Sequence, residues 1–338
     1  MDQPIHAAPP SVVDSVEGRV EIDPAEVDSA YEGDGTDVAS TTTSLRSSIV
    51  QYEWKNGRRY HSYQSGTYSF PNDEREQDRL DMVHHAFTLA MNRRLFVAPL
   101  SDPNRLRILD VGTGTGIWPI CMGDSFPGAD ITGNDLSPIQ PTWVPNNVRF
   151  IVDDVELDWS HPEHYDFIHV RYMAASIRDW PRLFRQIFDS LKPGGWVEFH
   201  ESDNAMYSED GSLDPDNPLV EFLRCTAAAC DRLGRPMDPA PNFTRWARDV
   251  GFVRIKEQRF KLPVGIWPKD PRLKEIGAFM SCNFFEGIDA FTNVLLRDVL
   301  GWTPAAVEMM NARVRAASRR KDVHPIFDLL AVTAQKPL

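Results

Sequence analysis

Cysteine is scarce. The 338 residues contain four, Cys121, Cys225, Cys230 and Cys282, and no CxxC pair. That excludes a disulfide framework and a clustered zinc site, and reads as reduced thiols in a cytosolic or nuclear protein. No run of 18 apolar residues occurs, so no membrane-spanning helix is expected. Positive charge is in deficit: 36 Lys and Arg against 49 Asp and Glu leave a formal charge of -13. This is the wrong sign for holding nucleic acid through its phosphates. Asp2, Asp14, Glu17 and Glu21 interrupt the first residues, and no apolar stretch follows a basic start, so these residues do not read as a secretory signal. What the chain does have is 42% hydrophobic residues, enough for a packed core in one large domain or two modest ones.

The charge is unevenly spread. Residues 1–50 hold ten acids and two bases, Arg19 and Arg46, among many Ser, Thr, Pro and Gly. Such a segment buries too little apolar area to offset its ordering entropy, so a disordered acidic tail is expected to about residue 50. From residue 51 aromatic and basic residues alternate. A helix is then expected from Asn72-Asp73, with acids in its first turn and Leu80, Val83, His84, Phe87 and Met91 on one face. Beyond residue 106 strands and helices alternate. Strands are expected at 107–111, 129–135, 148–154, 165–171 and 196–201, then at 252–261 and 326–335. Helices are expected at 117–125, 180–191, 218–233, 242–250, 270–300 and 304–318. That rhythm predicts an α/β fold, a Rossmann-like doubly wound and mostly parallel sheet with ligands at the carboxyl ends of its strands.

The first strand runs into Gly112, Gly114 and Gly116, where glycine permits a tight turn and close approach of a ligand. A glycine turn alone suits a dinucleotide or S-adenosylmethionine (SAM) equally; the acids separate the two. Asp110 lies two residues before the first glycine, where it would repel a pyrophosphate at the helix N-terminus. SAM carries a sulfonium and an α-ammonium group and no phosphate, so an acid there is an asset. Asp135 ends the second strand, placed to accept from ribose hydroxyls, a role that also suits NAD. Asp153-Asp154 ends the third, placed to accept from an adenine amino group. Asp110, Asp135 and Asp154 thus mark three successive strand ends and converge on one crevice.

The segments NGRRYHSYQSGTYSFPNDEREQDRLDMVHHAF (56–87), GTGTGIW (112–118), DLSPIQPTWVPNNVRFIVDD (135–154) and YDFIHVRYM (165–173) resemble class I SAM-dependent methyltransferases, more narrowly the LaeA-like fungal methyltransferases, over about residues 50–338. The resemblance implies Asp110, Gly112, Gly114 and Gly116 around the amino-acid moiety of SAM, Asp135 and Leu136 at the ribose, and Asp154 and Val155 at the adenine. It places Arg171 near the methyl-donor end. It also implies an N-terminal cap over the cofactor at 51–100, carrying Tyr60, Tyr63, Tyr68 and Arg79, ahead of the methyltransferase domain at 101–338. The family holds tailoring enzymes that methylate O or N of a metabolite, and regulators of secondary metabolism that associate with velvet-type proteins. The resemblance therefore implies either a small-molecule acceptor or a velvet-type partner, in the cytoplasm or the nucleus.

Methyl transfer needs positioning and exclusion of water, and a general base only where the acceptor must lose a proton. His200 and Glu201, just past the fifth strand, are the candidate catalytic residues. His169 is better read as a packed strand residue. His84 and His85 point about 100° apart on a helix and read as packing residues, not a chelating pair. His161 and His164 read as a surface turn, and no metal site is expected. Segments 202–240 and 262–300 are expected to form a lid. Met206, Tyr207, Phe222, Trp267, Phe279, Met280, Phe284 and Phe285 within them suit a hydrophobic acceptor.

Overall fold

A computed structural model describes residues 18–23, 53–55, 58–60, 71–159 and 164–338. The elements in chain order are β1 (Glu53–Lys55), β2 (Arg58–Tyr60), α1 (Glu74–Ala90), β3 (Arg107–Val111), α2 (Ile117–Ser125), β4 (Asp130–Asp135), β5 (Val148–Val152) and β6 (Tyr165–Arg171). There follow α3 (Trp180–Ser190), β7 (Leu191–Tyr207), α4 (Pro218–Arg232), α5 (Phe243–Val250), β8 (Val253–Pro263), α6 (Pro271–Thr292), α7 (Pro304–Ser318) and β9 (Ile326–Gln335). β1 and β2 form a small antiparallel pair, and the other seven strands form one sheet in the order β5-β4-β3-β6-β7-β9-β8. β3 to β7 run parallel, while β9 is antiparallel to both β7 and β8. The fold is thus the mostly parallel, doubly wound α/β class expected. β3 sends the chain outward to β4 on one side and lies against β6 on the other. This reversal opens a crevice at the strands' carboxyl ends.

Local chemistry sets the helix starts. Asp73, Asn217, Asp270 and Thr303 each cap a helix by accepting a backbone N–H of its first turn. The three caps from Asn217 onward precede a proline at the first helical position. The central strands are buried on both faces. Phe184 stacks on Phe199 at 4.3 Å, and each fully buried phenylalanine contributes about 1.5–3 kcal/mol.

Three expectations need correction. Residues 18–23 fall in the stretch read as a disordered tail, yet Ile22 bridges to Pro268, the Lys269 N–H donates to the Glu21 carbonyl at 2.7 Å, and Val20 is buried beside Phe260 and Trp267. A single apolar side chain with backbone pairing is enough to dock a short segment that composition alone would leave free. The rest of that tail lies outside the described residues. β7 begins at Leu191, before the Pro-Gly-Gly turn, because a register shift between Tyr165 and Phe167 absorbs the irregular turn. At its other end β7 pairs with β9 as far as Tyr207, into the segment read as lid. The helix expected over 270–300 stops at Thr292 and continues as a wider π turn over Asn293–Val299.

Deleting residues 1–23 should lower the melting temperature by a few degrees. Burial of Val20 contributes about 1.5–3 kcal/mol, and at an unfolding entropy of about 2.1 cal/mol/K per residue each kcal/mol moves a chain of this size by about 1–2 °C. An unchanged melting curve for the deletion and for Val20→Asp would remove the docked segment from the fold.

Candidate active site

β3 ends at Val111, and the chain turns through Gly112 to Gly116 into α2. Two of these glycines are required. Gly112 has φ +66°, and a Cβ there would collide with the Met173 Sδ. Gly116 caps α2 at φ +80°, and a Cβ would lie 2.5 Å from the Phe150 ring. The turn is pinned to the next strand. The Gly114 N–H donates to Asp135 Oδ2 at 2.9 Å, and the Ser137 N–H donates to Asp135 Oδ1 at 2.9 Å.

A cavity opens over this turn. Asp110, Gly112, Gly114, Asp135, Leu136, Asp154, Val155 and Arg171 all line it. Gly116 does not; it sets the start of α2. α1, within the expected cap at 51–100, closes one side with Leu80, Val83 and His84. Among the described residues the cavity wall carries five carboxylates, those of Asp110, Asp135, Asp153, Asp154 and Glu156, and one guanidinium, Arg171. Arg171 is half-buried, its Nη1 lies 2.9 Å from His84 Nδ1, and it makes no ion pair among the described residues. Burial pulls its pKa below the ordinary guanidinium value.

Beneath the cavity a chain of ionisable groups crosses the sheet. Asp110 is buried, and burial pushes its carboxyl up to about 7 against a 2.6 Å hydrogen bond from Thr113 Oγ1. His169 Nδ1 lies 2.7 Å from Asp110 Oδ1, and His169 Nε2 lies 3.3 Å from His200 Nδ1. His200 Nε2 is hydrogen-bonded to Glu198. Glu198 accepts the N–H groups of Val97 and Ala98. Burial alone would raise its pKa, but His200, His169 and the Val97 amide hold it below the ordinary value. His169 stacks on Trp118 at 3.8 Å, and burial, then His200 and Arg171, hold its pKa far below the ordinary value.

That chain corrects the reading of His200. A catalytic residue has to face the reactants; His200 is 1% exposed and lines neither this cavity nor its neighbour. Side chains alternate along a strand, so Glu198 and His200 share one face of β7 and Glu201 points to the other.

Glu201 lies on the wall of a second cavity. It accepts the N–H groups of Met173 and Ala174 at 2.8 Å each and of Ser202 at 3.0 Å. Burial, with Asp238 adding to it, pushes its carboxyl up to about 7. Tyr172 and Ser176 line both cavities. Tyr172 at φ +57° and Ala175 at φ +59° are held in the left-handed region, strain of the kind that concentrates at functional sites.

Arg79 was implied at the cofactor and instead walls the second cavity. It is ion-paired with Glu76 at 2.5 Å, with its Nη1 donating to Asn283 Oδ1 at 2.5 Å and reaching Tyr172 Oη at 3.4 Å. The three-residue spacing that pairs it with Glu76 on one turn of α1 turns it away from the glycine turn. Tyr60 is buried and lines neither cavity; Tyr63 and Tyr68 lie outside the described residues. Of the expected lid side chains, Phe222, Met280 and Phe284 line the second cavity, and Trp267 packs in the core. Tyr172, Ser176 and Asn283 were missed because nothing in their local spacing marks them. His85 lies 3.7 Å from Glu275, His164 sits against Arg107, and His161 lies outside the described residues. Among the described residues no group of three or more His, Cys, Asp or Glu could hold a metal ion, and no helix is long and apolar enough to cross a membrane.

A family model for a methyltransferase domain matches residues 82–257. Methyltransferase pytC of Aspergillus terreus is 56% identical over 320 residues, covering 94% of this chain and 96% of that protein. Secondary metabolism regulator LAE1 of Cochliobolus heterostrophus is 37% identical over 84% of this chain and 94% of that one. The protein-methionine methyltransferase laeA of Emericella nidulans is 34% identical over 91% and 83%.

Proposed function

Because the chain belongs to the LaeA-like methyltransferase family, we propose that it transfers a methyl group from SAM to a small molecule of fungal secondary metabolism. The observation that carries this is the acidic lining of the first cavity, where the carboxylates of Asp135, Asp153, Asp154 and Glu156, with Asp110 at about 7, face one guanidinium. A pyrophosphate would be repelled there, whereas a ligand with a sulfonium and an ammonium group is held.

The donor set fits SAM group by group. Asp135 accepts from the ribose hydroxyls while anchoring Gly114. Asp154 and Val155 bind at the adenine. Arg171, without a carboxylate partner of its own, suits the α-carboxylate in a bidentate contact. Gly114, with φ +57° and only Leu80 near the place of a Cβ, leaves the backbone open to close approach. Bound SAM supplies an electrophilic methyl group on a sulfonium; the chain's residues orient the two reactants and exclude water. In this reading residues 51–100 cap the cofactor and the segments 202–240 and 262–300 cover the acceptor, around one domain at 101–338.

Asp135→Ala should weaken S-adenosylhomocysteine binding by about 1.5–3 kcal/mol, the worth of hydrogen bonds to a charged acceptor. Calorimetry showing an unchanged affinity would remove Asp135 from the site. Binding of NADH without binding of S-adenosylhomocysteine would sink the whole reading.

A second reading rests on the regulators among the relatives: the chain binds SAM but acts through a velvet-type protein, in the nucleus, with protein methylation or no turnover. Methyl-labelled SAM, purified protein and a fungal extract separate the two. Label in the organic-soluble fraction supports a tailoring enzyme, and label in precipitated protein, absent without extract, supports the regulator.

A further inference from the structure

We propose that the second cavity is the acceptor site, that it takes a mainly apolar ring-bearing molecule with a phenolic or enolic hydroxyl, and that Glu201 accepts the proton of that hydroxyl. This rests on the methyltransferase reading and gives it a substrate class.

Three observations carry it. First, the two cavities meet at Tyr172 and Ser176, so a molecule in the second borders whatever fills the first. Second, Phe222, Leu223, Met280, Phe284, Phe291 and Phe327 supply an apolar, largely aromatic wall, which suits flat rings. Third, Glu201 brings a buried carboxylate to that wall with no ion-pair partner among the described residues. A carboxylate offers about four lone-pair directions. Backbone N–H groups of Met173, Ala174 and Ser202 fill three, which leaves one for an acceptor's hydroxyl.

The proton affinity of Glu201 selects the hydroxyl. Its carboxyl stands at about 7, close to the working pH of a general base. A phenol near pKa ~10 is about three pKa units away. An aliphatic alcohol, close to water at ~15.7, is almost nine away and too poor an acid to be ionised by this carboxylate. An ammonium is disfavoured for another reason. Arg79 already places a fixed cation in the wall, paired with Glu76, and the methyl donor adds a second. A neutral acceptor that gains negative charge as it reacts is attracted to both. In the step, the O–H bond breaks and its proton passes to Glu201. An O–CH3 bond forms while the methyl's C–S bond breaks, and that electron pair leaves with sulfur. The products are a methyl ether, S-adenosylhomocysteine and a protonated Glu201, which returns its proton to water. The ionisable groups around Glu201 are Asp238, Arg79 with Glu76, and Tyr172; α4, α6 and β9 give the cavity only non-titratable side chains.

The test uses the full chain saturated with S-adenosylhomocysteine, titrated by calorimetry with 2-naphthol, 2-naphthylmethylamine (an ammonium at these pH values) and 2-naphthylmethanol. 2-Naphthol is expected to bind most tightly, and more tightly at pH 8 than at pH 6, as Glu201 ionises. Glu201→Gln should cut that affinity about tenfold at pH 8, in keeping with loss of a charge-assisted hydrogen bond, and abolish its pH dependence. Leu223→Trp, which fills the cavity and leaves Glu201 in place, should abolish probe binding in a folded protein that keeps S-adenosylhomocysteine. With labelled SAM, naphthyl methyl ether should form at a rate that rises with pH through about 7 and levels off. Equal or better binding of the amine or the alcohol overturns the proposal, as does failure of all three probes while S-adenosylhomocysteine binds. Failure of S-adenosylhomocysteine itself to bind would instead overturn the methyltransferase reading.

Discussion

Arg79→Ala is expected to destabilise the protein by about 3–5 kcal/mol, the cost of stripping one partner from a buried ion pair. Arg79 is 4% and Glu76 2% exposed, so the remaining carboxylate has little water to turn to. Arg58, 3.9 Å from Glu76, provides weak compensation and places the loss toward the lower bound. The substitution also removes the donor to Asn283 on α6 and the guanidinium lying 5.7 Å from the Tyr172 and Phe291 rings. Loss of order should therefore spread to the wall of the second cavity. Arg79→Lys should recover only part of the stability, because a point charge cannot reproduce the two-pronged contact with Glu76. Urea unfolding measures both variants, and Arg320→Ala is the control. Arg320 pairs with Asp322 on the surface, where water and salt screen the pair and its removal costs little. Equal effects of Arg79→Ala and Arg320→Ala would show that the buried pair adds nothing.

His200→Leu is expected to cost a comparable amount, about 3–5 kcal/mol at neutral pH, with a distinctive pH dependence. Glu198 is 0% exposed and its carboxyl is held below the ordinary value, with His200 the strongest of the influences opposing burial. A carboxyl depressed in the fold contributes stability above its unfolded pKa, and loses it as pH falls through the folded value. Without His200, burial dominates and the folded value rises above the unfolded one, so the variant loses stability as pH climbs from about 4. The deficit relative to the wild type should therefore be largest near pH 7 and shrink toward pH 4. A deficit that stays constant over that range would show that only packing was lost. Because His200 also bonds to His169, and His169 to Asp110, the variant should bind S-adenosylhomocysteine more weakly in step with its loss of order.

Much of this architecture was legible in the chain itself. The β3 to β7 rhythm could be read because short apolar runs such as those of β3 and β6 recur between turn residues, and α3 opens on a capping Asp179 with a proline in its first turn. The acids at 110, 135 and 154 could be assigned to one crevice because parallel strands all end on the same side of a sheet. The glycine turn announced itself through residue type, since only glycine tolerates the backbone of Gly112 and Gly116.

The tertiary structure alone decided what depends on neighbours distant in sequence. Whether His200 or Glu201 meets a cavity turned on which face of β7 each occupies, a choice adjacent residues make oppositely. Arg79 went to the second cavity because Glu76, Asn283 and Tyr172 hold it there, two of them about a hundred or more residues away. Val20 docks because β8 and the loop after it present an apolar seat, which the composition of residues 1–50 cannot reveal. Sequence thus determines secondary structure and the common end of the strands, since both follow from local sterics and period. Burial, ionisation and the partition between two cavities belong to long-range packing, which sets each group's dielectric surroundings and charged neighbours.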